Sequence, residues 1–136
     1  MNTKLLEKAN KAIRNCSEAS FAVIDEEGYP SASTVSLIGP ENISTLYFST
    51  NIGSNKEKRL QGSSKASLCC RVGDNNITLV GEAEVFTDQE TKSKYWQNWF
   101  IDVYPGGEID PTYCVIQFTT KRVSLWIDCA GAEFLL

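Results

Sequence analysis

The 136-residue sequence predicts a mainly β fold with flanking helices: six or seven mostly antiparallel strands in a closed or nearly closed barrel. Three observations carry that prediction. Short runs of β-branched and aromatic residues recur between clusters of Gly, Pro, Asn and Asp. The connections between them are short, and Gly81 interrupts one long run where a barrel needs a bulge or bend. At this length residues 1–136 read as one domain, able to bury roughly two thirds of its unfolded surface without disulfides.

Taken in order, residues 3–16 place Leu5, Leu6, Ala9, Ala12, Ile13 and Cys16 on one helical face. Residues 20–25 form a short apolar strand, and Asp25-Glu26-Glu27-Gly28 a hairpin turn with Gly28 at the position that needs positive φ. Pro30 opens a strand over 31–38, rich in small hydroxylated residues. Small side chains let a ligand approach the backbone, and a solvated strand face accounts for them equally well.

Gly39-Pro40 turns the chain into a strand over 44–50. A polar loop follows, and then a helix from Ser54 to near Gly62, since Ser54 and Glu57 have the spacing of a capping box. Backbone N–H groups in that first turn lack carbonyl partners and carry the positive end of the helix dipole. With the hydroxyls of Ser49, Thr50 and Ser54 and the ammonium of Lys56 they would form a phosphate cradle. An ordinary capped surface helix is the plainer alternative, because the stretch lacks the P-loop pattern.

Residues 65–72 and 76–87 read as strands joined by the turn Gly73-Asp74-Asn75. Asp88 caps a helix on which Tyr95, Trp96, Trp99, Phe100 and Val103 form an aromatic stripe, read as core or dimer contact. Residues 104–112 read as loop, 113–119 and 122–128 as a final hairpin, and 129–136 as an apolar tail buried against the body or a partner subunit.

The net charge of −4 argues against nucleic acid as a partner. No apolar run is long enough to span a bilayer, and Met1 to Asn15 lacks the apolar core of a signal peptide, so a cytoplasmic protein is expected. The five cysteines are scattered without a Cys-x-x-Cys, so no metal site is expected and most read as small buried residues. Histidine is absent, which removes histidine triads and histidine acid/base chemistry. An enzyme with this sequence would draw its chemistry from a cofactor.

Several pieces then line up: Gly28-Tyr29-Pro30, Tyr47-Phe48-Ser49-Thr50 leading into Ser54-Asn55-Lys56, and Val80-Gly81-Glu82-Ala83-Glu84. Pro105-Gly106-Gly107 with Asp110-Pro111 and the closing Val123-Ser124-Leu125-Trp126 complete the series. In order and spacing they resemble the pyridoxamine 5′-phosphate oxidase-like family of FMN-binding split β-barrels, over residues 21–128. The Gly-Gly…Asp-Pro loop is most similar to the general-stress-protein branch.

That resemblance implies that Thr50, Ser54 and Lys56 hold the FMN phosphate, with Ser49 and Asn55 beside them. The backbone of Ser33, Thr34, Val35 and Ser36 would meet the polar edge of the isoalloxazine ring. Asn76 stands where the oxidases have a glutamine facing the flavin, and a turn residue is its other reading. Trp126 matches a tryptophan supplied across a dimer interface; taken alone it reads as a core or sheet-face aromatic. A homodimer with FMN between subunits is thus expected. Ser33 and Asn55 stand where the oxidases carry arginines, each worth about 1.5–3 kcal/mol as a charge-assisted donor. The arginine and histidine ligands of the vitamin B6 substrate have no counterpart, so pyridoxamine phosphate oxidase activity itself is not expected.

The leading expectation is an FMN-dependent oxidoreductase acting on a small molecule, with a reduced nicotinamide or another donor and no catalytic side chain nominated. The alternatives are a non-catalytic protein that holds or senses flavin or another phosphorylated ligand, and a pure interaction module. A deazaflavin in place of FMN fits the same residues.

Overall fold

Alternation and turn chemistry produce the elements in the expected order. The computed structural model describes residues 3–136. Helix α1 (Thr3–Ile13) precedes strands β1 (Glu18–Ile24), β2 (Pro30–Ser36) and β3 (Thr45–Asn51). Helix α2 (Asn55–Gly62), β4 (Lys65–Val72), β5 (Asn75–Phe86) and α3 (Gln89–Lys94) follow. Two 3-10 turns, Asn98–Asp102 and Gly107–Ile109, lead to β6 (Tyr113–Ile127) and β7 (Ala130–Leu135). The mainly β expectation is borne out: seven strands form one antiparallel sheet in the order β2-β1-β4-β5-β6-β3, with β7 also paired to β6.

Local chemistry explains the β1–β2 hairpin. Asp25 Oδ1 accepts the backbone N–H groups of Glu27 and Tyr29, both at 2.9 Å, and Gly28 adopts φ +86°. Inside the barrel Phe21 packs edge-on against Phe48 and Phe118, with centroids 4.6 and 6.5 Å away. Ala9 and Ile13 of α1 are buried in the same core. The two ends of the strand order, β2 and β3, meet where the Ile38 N–H donates to the Tyr47 carbonyl at 2.8 Å. Among the described residues no ladder joins them beyond that point, and α2 packs nearby against β1 and β3. This is the split of the barrel.

The hairpin expected at 113–128 is instead one 15-residue strand. Thr120-Lys121 does not turn but carries a β-bulge within β6: Val80 pairs with Arg122 and Gly81 with Thr120, leaving Lys121 as the extra residue opposite β5. A Cβ on Gly81 would lie 2.0 Å from the Thr119 carbonyl oxygen, so only glycine fits the bulge. The helix expected to carry the aromatic stripe stops at Lys94. Ring packing takes over from there, with Trp96 edge-on to Phe100 and Tyr113 at 5.5 and 5.3 Å. Those rings form a second core with Ile38, Tyr104 and Val115, while Trp99 and Val103 stay exposed. The apolar tail is strand β7. Phe134 packs on the main core and Leu135 remains 73% exposed.

Candidate functional site at the split of the barrel

β3 ends at Asn51, and Gly53, at φ +88°, reverses the chain so that Ser54 caps α2. Ser54 Oγ accepts the Glu57 N–H at 3.2 Å and the Thr50 hydroxyl at 2.9 Å. The capping box is displaced by one residue: Glu57 Oε2 accepts from the Gly53 N–H at 3.0 Å, while the Ser54 N–H donates to Asn51. Gln61 donates to the other Glu57 oxygen at 2.9 Å, so this buried carboxylate is turned back into the loop.

Those bonds leave a set of donors unspent. With both lone pairs of Ser54 Oγ occupied, its proton is available to donate outward. The N–H groups of Asn55 and Lys56, at the first two helical positions, have no intrahelical acceptor. The half-buried Lys56 ammonium makes no hydrogen bond or ion pair with any described residue. Thr50 is 5% exposed and supports Ser54 from within. Ser49 points to the opposite face, where its Oγ accepts the Tyr104 hydroxyl at 3.4 Å.

The 104–112 segment braces this turn. The Ile52 N–H donates to the Thr112 carbonyl at 2.7 Å. The Asp110 carboxylate accepts the Thr112 hydroxyl at 2.7 Å, the Thr112 N–H at 2.8 Å and the Gly106 N–H at 2.9 Å. The Thr112 hydroxyl above all, helped by those two N–H groups, holds Asp110 below the usual carboxylate range. Lys92, only 6% exposed, donates to the Asp110 carbonyl at 2.8 Å and lies over the Tyr113 ring at 5.4 Å. Behind Thr50, the Cys114 thiol donates to the Thr50 carbonyl at 3.2 Å, and burial pushes it up to about 11.

The remaining predicted residues fall on two sides of the sheet. Ser31 and Ser33 pair with the core residues Val23 and Phe21, so they share the inner face and look toward the split, as does the buried Val35. Thr34 and Ser36 alternate to the outer face. Asn76 and Trp126 are cross-strand partners on that outer face, and Trp126 is 50% exposed, not a core aromatic. Asn76 Nδ2 donates to Thr78 at 3.1 Å and its Oδ1 accepts the Cys69 thiol at 3.4 Å. Thr34 and Asn76 line one open cavity of about 470 Å³. Thus Thr50, Ser54, Asn55 and Lys56 sit together at the turn from β3 into α2 and Ser33 lies on the inner face of β2, while Thr34, Ser36, Asn76 and Trp126 belong to the outer surface.

A family model described as pyridoxamine 5′-phosphate oxidase matches residues 5–127. The chain belongs to that family. No curated protein matches it. Among solved structures it is similar to a Clostridium acetobutylicum protein described as related to general stress protein 26 of Bacillus subtilis, of the pyridoxinephosphate oxidase family. That likeness has a TM-score of 0.87 at 22% identity, over 100% of this chain and 97% of the other. General stress protein 26 from Bacillus anthracis gives a TM-score of 0.79 at 18% identity, over 97% of this chain and 100% of the other. At these identities the likeness is one of fold. Both names match the branch to which the Gly-Gly…Asp-Pro loop points. The pyridoxamine 5′-phosphate oxidase family is therefore represented here by a seven-stranded split barrel whose loop 104–112 steadies the turn into α2. No described helix is long and apolar enough to cross a membrane.

Proposed function

We propose that this chain binds FMN at the barrel split and acts as a flavin-dependent oxidoreductase on a small molecule, as a homodimer. One observation carries the reading: the unspent donors of Ser54, Asn55 and Lys56 converge at the N-terminus of α2, beside the gap between β2 and β3. Two backbone N–H groups, one hydroxyl proton and one ammonium are the donor set a phosphate monoester requires. The residues present therefore fit the FMN phosphate.

Each residue has a definable task. Lys56 neutralises phosphate charge, Ser54 and the amides of residues 55 and 56 fix its oxygens, and Thr50 keeps the Ser54 hydroxyl aimed. Bound FMN supplies a ring that accepts a hydride and passes it on. Asn76 and Trp126 lie across the sheet from the cradle, which favours a site completed by a second copy whose Trp126 stacks at the ring. Reduced nicotinamide is a suitable donor.

The test is a visible absorption spectrum of the purified protein, before and after adding FMN and removing the excess. Retained flavin bands, bleached by a reduced nicotinamide and restored with steady turnover by an acceptor, are the expected result. Bands that remain without turnover would place the protein among flavin carriers or sensors. A colourless protein that never retains FMN would defeat the flavin reading.

A further inference from the structure

Arg59 is one helical turn after Lys56 on α2, and residues three apart share a helix face. Helical side chains lean toward the N-terminus of their helix, the end that carries the cradle. It crosses from α2 to β2, where Nη1 donates to Ser31 Oγ at 3.0 Å. Ser31 is two residues before Ser33 on the inner-facing row of β2, the row that looks onto the split. The side chain is 20% exposed, with a single long contact to an acid, Nε to Glu26 Oε1 at 3.4 Å; Glu26 itself is 74% exposed. The other N–H groups of this five-donor fork have no partner among the described residues. A cation spanning α2 and β2, mostly sheltered and with donors to spare, is placed to meet an anion entering between them.

We propose that Arg59 is the second cation of the cradle, taking the ligand's phosphate group together with Lys56. This rests on the flavin reading above and extends it to a residue beyond the first turn of α2. The competing role is a tie that merely fastens the β1–β2 turn to α2 through Ser31 and Glu26. The two roles differ in what they do to a ligand with and without a phosphate.

The experiment titrates the full-length chain and its variants with FMN and with riboflavin, which lacks the phosphate, and follows flavin fluorescence. Wild type that binds neither defeats the flavin reading itself, before any variant is made. With FMN held by wild type, Arg59→Gln should weaken FMN by about tenfold or more and leave riboflavin unchanged. Ser31→Ala, which removes the tie and keeps the charge, should change FMN affinity by less than about threefold. Glu26→Gln, which leaves Arg59 in place and frees it from its acid, should tighten FMN and serves if Arg59→Gln does not fold. Unchanged FMN affinity in Arg59→Gln, equal losses in Arg59→Gln and Ser31→Ala, equal losses for the two flavins, or no tightening in Glu26→Gln would each overturn the proposal.

Discussion

Lys56 is a cation without a partner among the described residues in a protein of net charge −4, and that isolation makes it informative. Replacing it should cost little stability, since no described contact is lost. Lys56→Ala should weaken FMN by about tenfold or more, and Lys56→Glu further, with thermal midpoints near wild type. A fluorescence titration beside a melting curve checks both halves. Cys114 makes a different prediction, about pH. Its thiol is raised from 9.0 to about 11 in the fold, chiefly by burial, so folding favours the protonated form. That contribution is complete below about pH 9 and is lost as pH rises toward 11, because the unfolded chain releases its proton first. Two pK units correspond to an upper bound of about 3 kcal/mol. Cys114→Ala should be less stable at pH 7, where it leaves a cavity, and should lose less stability than wild type between pH 9 and 11. Parallel urea-unfolding curves across that range would refute the assignment.

Among the elements, the β5–β6 ladder depends most sharply on one position. Gly81→Ala drives a Cβ into the Thr119 carbonyl and should cost at least about 2 kcal/mol, read as a shift in the urea midpoint. An undiminished midpoint would mean that the bulge can slide. The same ladder marks what could be read from sequence. The β1–β2 hairpin and the Ser54 cap were legible because their partners are local: Asp25 with Glu27 and Tyr29, Ser54 with Glu57. The unbroken β6 is not, since Thr120-Lys121 looks like a turn until its pairing with Val80 and Gly81 on β5 is known. Aromatic spacing suits a helix and so predicts a longer third helix, whereas ring contacts with Tyr113 decide the chain's path after Lys94. At the site, Arg59 and Lys92 escaped notice for a related reason. Their acceptors, Ser31 and Asp110, are 28 and 18 residues away, and in sequence both cations look like ordinary solvated helix charges. The Asp110-Pro111-Thr112 turn was the one local sign that the loop is built rather than slack.

For the molecule as a whole, the proposed homodimer would pair through the outer sheet face. Thr34, Ser20, Cys69, Thr78 and Ser124 align across five strands, giving a row of small side chains bordered by the exposed Trp126. Trp126→Glu should shift the expected homodimer to monomer in size-exclusion chromatography with light scattering, leaving the β-sheet circular dichroism intact; an unchanged mass would move the interface elsewhere. The strand order also has a consequence for how the protein is made. Among the described residues β3 finds its only ladder on β6, which leaves the ribosome far later, after α2, β4, β5 and α3. The nascent chain therefore carries Leu46 and Phe48, fully buried in the finished molecule, on an unpaired strand through most of its synthesis. A chain arrested after Thr112 should be recovered with holding chaperones or in aggregates, and release should follow the emergence of β6 rather than that of any earlier strand.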